Sequence, residues 1–416
     1  MRRASCRGSP REWAKGCPAG GTALPLTWAT PLHLFCSEGT LEWWSLNTRM
    51  YFNSTSKVIS GPDYMDGRTG TQLYVSRYGE QVLDIAVGSR GEDNAMTISS
   101  SMAWLCCSKP VLLIPLMRAL AEAGADESAP VARFIPEFGS GGKDEVTIAH
   151  LLTHTVPYES LGMRWTDEGR HDDGEGPVFA APWSVALKAI CAMPVRSAPG
   201  ASVTYTAVTN WHVLAEILQR LTGRPYEDSV VEVVFDPLGM DDTRAYLTEE
   251  SAGTVEWAPL RTIGKDGSQE VYGLDQSPWS LSKWPGLTCR GPAREMARVM
   301  ECIAGWRHPQ SVDPQWRAKL LTPVRLDLCD PVFEGSEVQW SLGLCTDPMS
   351  YGLPLSKRVA GYTGVRSSFV VADLETGVTV AFISSLMPQV PRDWARKRRI
   401  IRAVYNDLGM LQGGSR

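Results

Sequence analysis

Trp104-Leu105-Cys106-Cys107-Ser108-Lys109-Pro110 opens onto an apolar, Ala/Leu-rich run over residues 111–123 that closes at Gly124. The run predicts a mostly buried helix with a glycine stop. Proline costs least in a first helical turn, so Pro110 places the helix start close to Cys106. Pro115 lies inside the run, at a position where a kink is expected. Cys106 and Lys109 are three residues apart and therefore share a helical face. A thiol at a helix start, one turn before a lysine, is an arrangement suited to nucleophilic chemistry. Two adjacent cysteines before a buried helix are also common as small core residues, so the rest of the chain must decide.

Composition narrows the classes. The chain has 416 residues, 43% hydrophobic and 21% charged, an ordinary globular balance with room for a large core. A net charge of −5 and a pI of about 5.8 provide no basic field for nucleic acid. Ten cysteines occur without C-x-x-C or Cys/His ligand spacing. They read as mostly reduced thiols, with neither zinc nor another metal expected, and they suit a cytoplasmic protein. No stretch reaches the roughly 18 apolar residues of a membrane span. Residues 1–45 mix Arg, Cys, Gly and Pro around an apolar run broken by Pro25 and Pro31, and are expected to form an irregular extension.

Strand and helix signals divide the remainder. Residues 72–77 and 80–86 alternate around Tyr78-Gly79, as in a hairpin. Helices are expected over 146–153, 183–193, 211–221, 226–240 and 291–306. Residues 158–182 form an acidic, Gly-rich loop, and 250–290 show little periodicity. Strands are expected over 337–344, 366–372 and 378–385, followed by a basic amphipathic helix over 394–408. Strands thus sit near both chain ends and helices fill the middle. That order implies an α/β (α+β) fold: an antiparallel sheet formed from both ends, flanked by helices, with an inserted, mainly helical subdomain. The sheet part would cover about 46–110 and 331–416, and the insertion about 111–330. The groove between them is the natural site.

Over residues 66–410 the landmarks resemble the serine β-lactamase and penicillin-binding-protein superfamily, nearest to class C β-lactamases and family VIII esterases and transacylases. Cys106-Cys107-Ser108-Lys109 is similar to the S-x-x-K motif of these acyl-transfer enzymes, with cysteine in place of the serine. Residues 70–88 resemble the family's opening hairpin, and residues 130–138 and 146–155 its helical landmarks. Pro199-Gly200 followed by Tyr205 resembles the second motif, Y-x-N or Y-S-x. Gly361-Tyr362-Thr363-Gly364 stands where the family has G-H-T-G or K-T-G. Two further departures are visible: Ala207 replaces the asparagine of Y-x-N, and Tyr362 replaces the third-motif cation.

The resemblance implies roles. Cys106 would be the nucleophile, Lys109 would take or hold its proton, and Tyr205 would be the partner acid/base. Tyr362, Thr363 and Gly364 would line the substrate edge. The strand half of the oxyanion hole would come from the neighbourhood of Val365 and Ser367, beside the nucleophile's own N–H. His154, in Leu-Leu-Thr-His-Thr, reads as a locally packed residue, and Asp172-Asp173 and Glu249-Glu250 as solvated loop charges. Trp104, Trp279 and Trp284 are candidate lining of an acyl pocket. The leading expectation is an acyltransferase or hydrolase working through an acyl-Cys106 thioester. It would pass an acyl group from a small-molecule donor to an acceptor, with no metal or organic cofactor, no nucleic acid and no membrane. A plain esterase or amidohydrolase, and an inactive relative that binds a ligand in the same cleft, are the competing readings.

Overall fold

A computed structural model describes residues 52–411, apart from 63, 65–66, 92–93, 159–181, 253, 265–267, 277–278, 325–327, 331–335 and 353–355. The irregular extension expected at the N-terminus and most of the acidic loop at 158–182 lie outside the described residues.

The core is a six-stranded antiparallel sheet. Its strands are β1 (Gly70–Arg77), β2 (Glu80–Gly91), β3 (Asn94–Ala95), β4 (Val359–Gly364), β5 (Ser368–Asp373) and β6 (Val378–Ser384), in the spatial order β4-β5-β6-β1-β2-β3. N- and C-terminal segments therefore meet at the β1–β6 pair, where Tyr74 lies opposite Ala381. Both residues of the Tyr78-Gly79 turn have positive φ, 51° and 80°. That is the primed hairpin geometry which matches strand twist. Strand β6 reads Val-Thr-Val-Ala-Phe-Ile-Ser and is buried throughout, because helices cover both faces of the sheet. The Ala293–Ala304 helix packs on one face. On the other, the C-terminal helix Val390–Asp407 sets the Arg396 guanidinium 5.1 Å from the Phe382 ring, and Tyr405 donates to Asp373 at 2.7 Å. Asp407 at the end of that helix accepts the Ser54 and Thr55 N–H groups and so caps the Asn53–Ile59 helix.

The middle of the chain is mainly helical. A 3-10 turn, Leu105–Ser108, runs directly into the Lys109–Glu122 helix. Pro115 lies inside this helix without ending it. The helix packs against Thr209–Thr222, whose end is closed by Gly223 in the left-handed conformation. The helix expected over 226–240 is three pieces, with a π-helical segment at Val231–Phe235 between Tyr226–Val230 and Asp236–Leu238.

One expected strand is not formed. In place of a strand over 337–344, Ser336–Glu337 makes a two-residue pairing and the chain then reverses through Ser341–Leu344. Gly343 there has φ +94°, and a Cβ on it would stand 2.7 Å from Leu113. Only glycine supplies both the conformation and the space. The returning Cys345 then pairs with Gly361, capping part of the exposed edge of β4. Among the described residues no helix is long and apolar enough to cross a membrane.

Candidate active site

The Leu105–Ser108 turn is clamped from two sides. On one, Met102–Ala103 pairs with Arg290–Gly291, Trp104 Nε1 donates to the Gly291 carbonyl at 2.9 Å, and Cys289 N donates to Ser108 Oγ at 3.1 Å. On the other lies β4 with its hairpin, where Ser368 Oγ donates to the Trp104 carbonyl at 2.8 Å. A Cβ on Gly364 would stand 2.7 Å from that same carbonyl oxygen. The third-motif strand is thus pressed directly on the turn, which explains why this position must be glycine.

The two cysteines leave this turn in different directions. Cys107 Sγ lies under β4, 3.4 Å from the Tyr362 carbonyl and 3.5 Å from Ser368 Oγ. Burial pushes its thiol up to about 12. Cys106 lies instead among Lys109, Tyr205 and Tyr362. Lys109 and Tyr205 both hydrogen-bond its thiol, and 6% of the residue remains exposed.

Lys109 is buried, and among the described residues no carboxylate acts on it. Its Nζ donates to the Gly286 carbonyl at 2.9 Å and sits 5.5 Å from the Tyr205 and Tyr362 rings and 5.8 Å from the Trp211 ring. Burial pulls this lysine below its ordinary range, while Cys106 opposes the shift. Burial disfavours the charged amine, so this lysine gives up its proton more readily than an exposed one. Burial, followed by the proximity of Cys106, raises the Tyr205 and Tyr362 hydroxyls well above the usual tyrosine range, and the two hydroxyls hydrogen-bond each other. Both phenols are therefore held protonated at neutral pH.

Of the residues singled out from sequence, Cys106, Lys109, Tyr205 and Tyr362 converge. Gly364 touches the Leu105–Ser108 turn. Thr363 is half-buried on β4, and Val365, Arg366 and Ser367 form the bend into β5. Ala207 is buried at the start of the Thr209–Thr222 helix, and its carbonyl faces Gly286. Glu249 and Glu250 are solvent-exposed, as expected. For Trp104 the expectation of pocket lining needs correction. Trp104 is wholly buried in the clamp, Trp284 packs 5.2 Å from His212, and the Trp279 side chain lies outside the described residues.

Two members of the site were not anticipated. Trp340, carried in by the 341–344 reversal, stacks on Tyr205 at 5.9 Å and packs 5.5 Å from Tyr362. No local pattern marks it, since its position depends on the long-range pairing of Cys345 with Gly361. His154 enters the same cluster, 4.7 Å from the Tyr205 ring, and its Nε2 is 3.2 Å from Tyr362 Oη. Among the described residues, five non-glycine residues have positive φ, and three of them, Leu105, His154 and Arg366, surround this site. Strained backbone gathers where a fold over-determines a functional geometry.

The Beta-lactamase family model matches residues 44–405. The chain belongs to the Beta-lactamase family. Among curated proteins it is 30% identical to Esterase EstB of Burkholderia gladioli over 184 residues, 42% of this chain and 46% of the esterase. That match therefore spans less than half the length of the esterase. Among solved structures it superposes on EstCE1, described as a hydrolase with promiscuous acyltransferase activity, with a TM-score of 0.69 and 16% identity over 87% of this chain and 100% of that one. It also superposes on a mutant of simvastatin synthase from Aspergillus terreus, with a TM-score of 0.66 and 15% identity over 88% and 99% of the two chains. At these identities the structural likeness establishes the fold.

Proposed function

We propose that this Beta-lactamase family member is an acyl-transfer enzyme that works through a thioester on Cys106. The observation that carries the reading is the convergence of Lys109 and Tyr205 on one thiol, with no carboxylate among the described residues to neutralise Lys109. A catalytically silent relative would have no need to keep a buried lysine there, since burying an amine without a counter-charge is costly.

The chemistry balances without a cofactor. Lys109 takes the thiol proton, and Cys106 Sγ attacks the acyl carbon, forming a C–S bond. Tyr205 gives its proton to the leaving group as the bond between that group and the acyl carbon breaks, and Lys109 restores the Tyr205 proton. An acceptor hydroxyl, amine or thiol then attacks the thioester carbon. Its proton passes through Tyr205 and Lys109 back to Sγ as the C–S bond breaks. The backbone N–H of Cys106 and one from the 365–367 bend are the proposed oxyanion donors, each worth about 3–4 kcal/mol to the transition state.

Cysteine favours transfer over plain hydrolysis, because a thioester reacts readily with amines and thiols and exchanges with thioester donors. With Tyr362 in place of a third-motif cation, substrates without a carboxylate at that position are favoured. The proposal is tested by incubating the enzyme with an acyl thioester and partitioning the product between water and an added amine or thiol. Acceptor-dependent product that disappears in Cys106→Ala supports transfer. Product formed at equal rates with and without acceptor, all of it free acid, returns the enzyme to the esterase reading. Hydrolysis of a chromogenic cephalosporin should stay below about 1 per second, because Ala207 and Tyr362 remove two groups the family uses on β-lactams.

A further inference from the structure

His154 is reached from a part of the chain far from the three motifs, and its hydrogen bonds have a direction. The Thr206 N–H donates to His154 Nδ1 at 3.1 Å. A backbone amide can only donate, so Nδ1 must be the acceptor and the ring proton resides on Nε2. Nε2–H then donates to Tyr362 Oη at 3.2 Å. With that face of the Tyr362 oxygen occupied by a donor, the Tyr362 hydroxyl proton must turn away from His154. Tyr362 also hydrogen-bonds Tyr205, whose own hydroxyl reaches Cys106.

The ring itself is fixed. His154 is wholly buried with φ +59°, its carbonyl accepts Thr204 N–H at 3.0 Å, and it is wedged 4.8 Å from Trp340 and 4.7 Å from Tyr205. A histidine held in left-handed backbone by bonds on both sides is a placed group, not a space-filler.

We propose that His154 is a positioning residue that orients a one-way chain of donors, from Thr206 N–H through His154 Nε2–H and Tyr362 O–H to Tyr205 O–H, so that the Tyr205 proton is aimed at Cys106 and the leaving group. Tyr362 then takes over the third-motif position with a neutral, oriented dipole in place of a cation. The labour of proton transfer is divided: Lys109 receives the thiol proton, and Tyr205 donates to the departing group. This deepens the acyl-Cys106 reading and rests on it.

Leaving-group dependence is the readout that mere structural support would not move. A nitrophenolate departs without being protonated, whereas an alkoxide does not. The enzyme is acylated with 4-nitrophenyl butanoate and with ethyl butanoate, and the rate of Cys106 acylation is followed by intact mass. His154→Phe should slow acylation by the ethyl ester about 10–100-fold and by the nitrophenyl ester less than about 3-fold. His154→Gln, which can place an amide N–H near the Nε2 position, should recover most of the ethyl-ester rate. Tyr362→Phe should give the same selectivity, and adding His154→Phe to it should bring no further loss, because the histidine acts through that hydroxyl. If His154→Phe does not fold, Tyr362→Phe carries the test alone. Equal losses for both esters, no loss for either, or additive losses in the double variant overturn this inference while leaving acyl transfer intact. Failure of the native enzyme to form any Cys106 adduct overturns the acyl-transfer reading and this inference with it.

Discussion

Two neighbouring thiols occupy opposite flanks of one turn. Cys107 is held by the sheet: its sulfur rests against the Tyr362 carbonyl and Ser368 Oγ, it is 1% exposed, and its thiol is pushed up to about 12 by burial. Cys106 faces a lysine and two phenols and is 6% exposed. Residue type therefore says little about reactivity here. What separates the two is the roughly 120° between consecutive residues of a 3-10 turn, which sends one thiol into the sheet and the other among groups able to carry a proton. The sheet flank fixes the turn, and the other flank is the one proposed to carry the chemistry.

The largest expected effect lies on the Cys106 flank. Tyr205→Phe should cut kcat by about 10²–10⁴-fold while melting changes little, because the hydroxyl is removed and the ring packing on Trp340 remains. Full activity in this variant would remove Tyr205 from the mechanism. Lys109 gives a related check through pH. Since burial pulls it below the ordinary lysine range, acylation should rise with pH along a limb that begins below that range, as the amine becomes free to take the thiol proton. Lys109→Arg, which stays charged, should remove that limb along with most of the rate.

On the sheet flank the effects are on folding. Gly364→Ala would force a Cβ to 2.2 Å from Ser368 Oγ and 2.7 Å from the Trp104 carbonyl oxygen. The backbone contact cannot yield by rotamer change, so a loss of about 3 kcal/mol is expected in a denaturant titration. A native-like midpoint would show that the turn and strand are not pressed together. Cys107→Ala should be smaller, about 1 kcal/mol, with turnover close to that of the native enzyme. Burial pushes its thiol up to about 12, from an ordinary value of 9.0. The native state thus keeps a proton that the unfolded chain releases, so stability falls as pH rises above about 9. Cys107→Ala should flatten that alkaline slope, and an unchanged slope would assign it to the other buried thiols.

Much of this arrangement was legible in the sequence. The Cys106/Lys109 spacing, the Tyr78-Gly79 hairpin and the glycine stops at Gly124 and Gly223 are local signals, and the structure follows them because the turns and caps they imply need few distant partners. Tyr205 and Tyr362 could be brought to Cys106 only through the family resemblance, since they are about 100 and 250 residues away in the chain. Trp340 was misread because residues 337–344 have strand-like composition, while Gly343 lets them reverse and pair through Cys345. His154 was read as a packing residue. It does pack, but its role rests on two hydrogen bonds to Thr206 and Tyr362, neither of which has a sequence pattern.

The contrast between the two thiols is tested most directly by acylating the native enzyme with an acyl-thioester donor and mapping the adduct by intact mass and peptide analysis. One acyl group is expected, on Cys106, abolished by Cys106→Ala and retained in Cys107→Ala. An adduct that persists in Cys106→Ala, or that maps to Cys107 or Ser108, would contradict the assignment of Cys106 as the nucleophile.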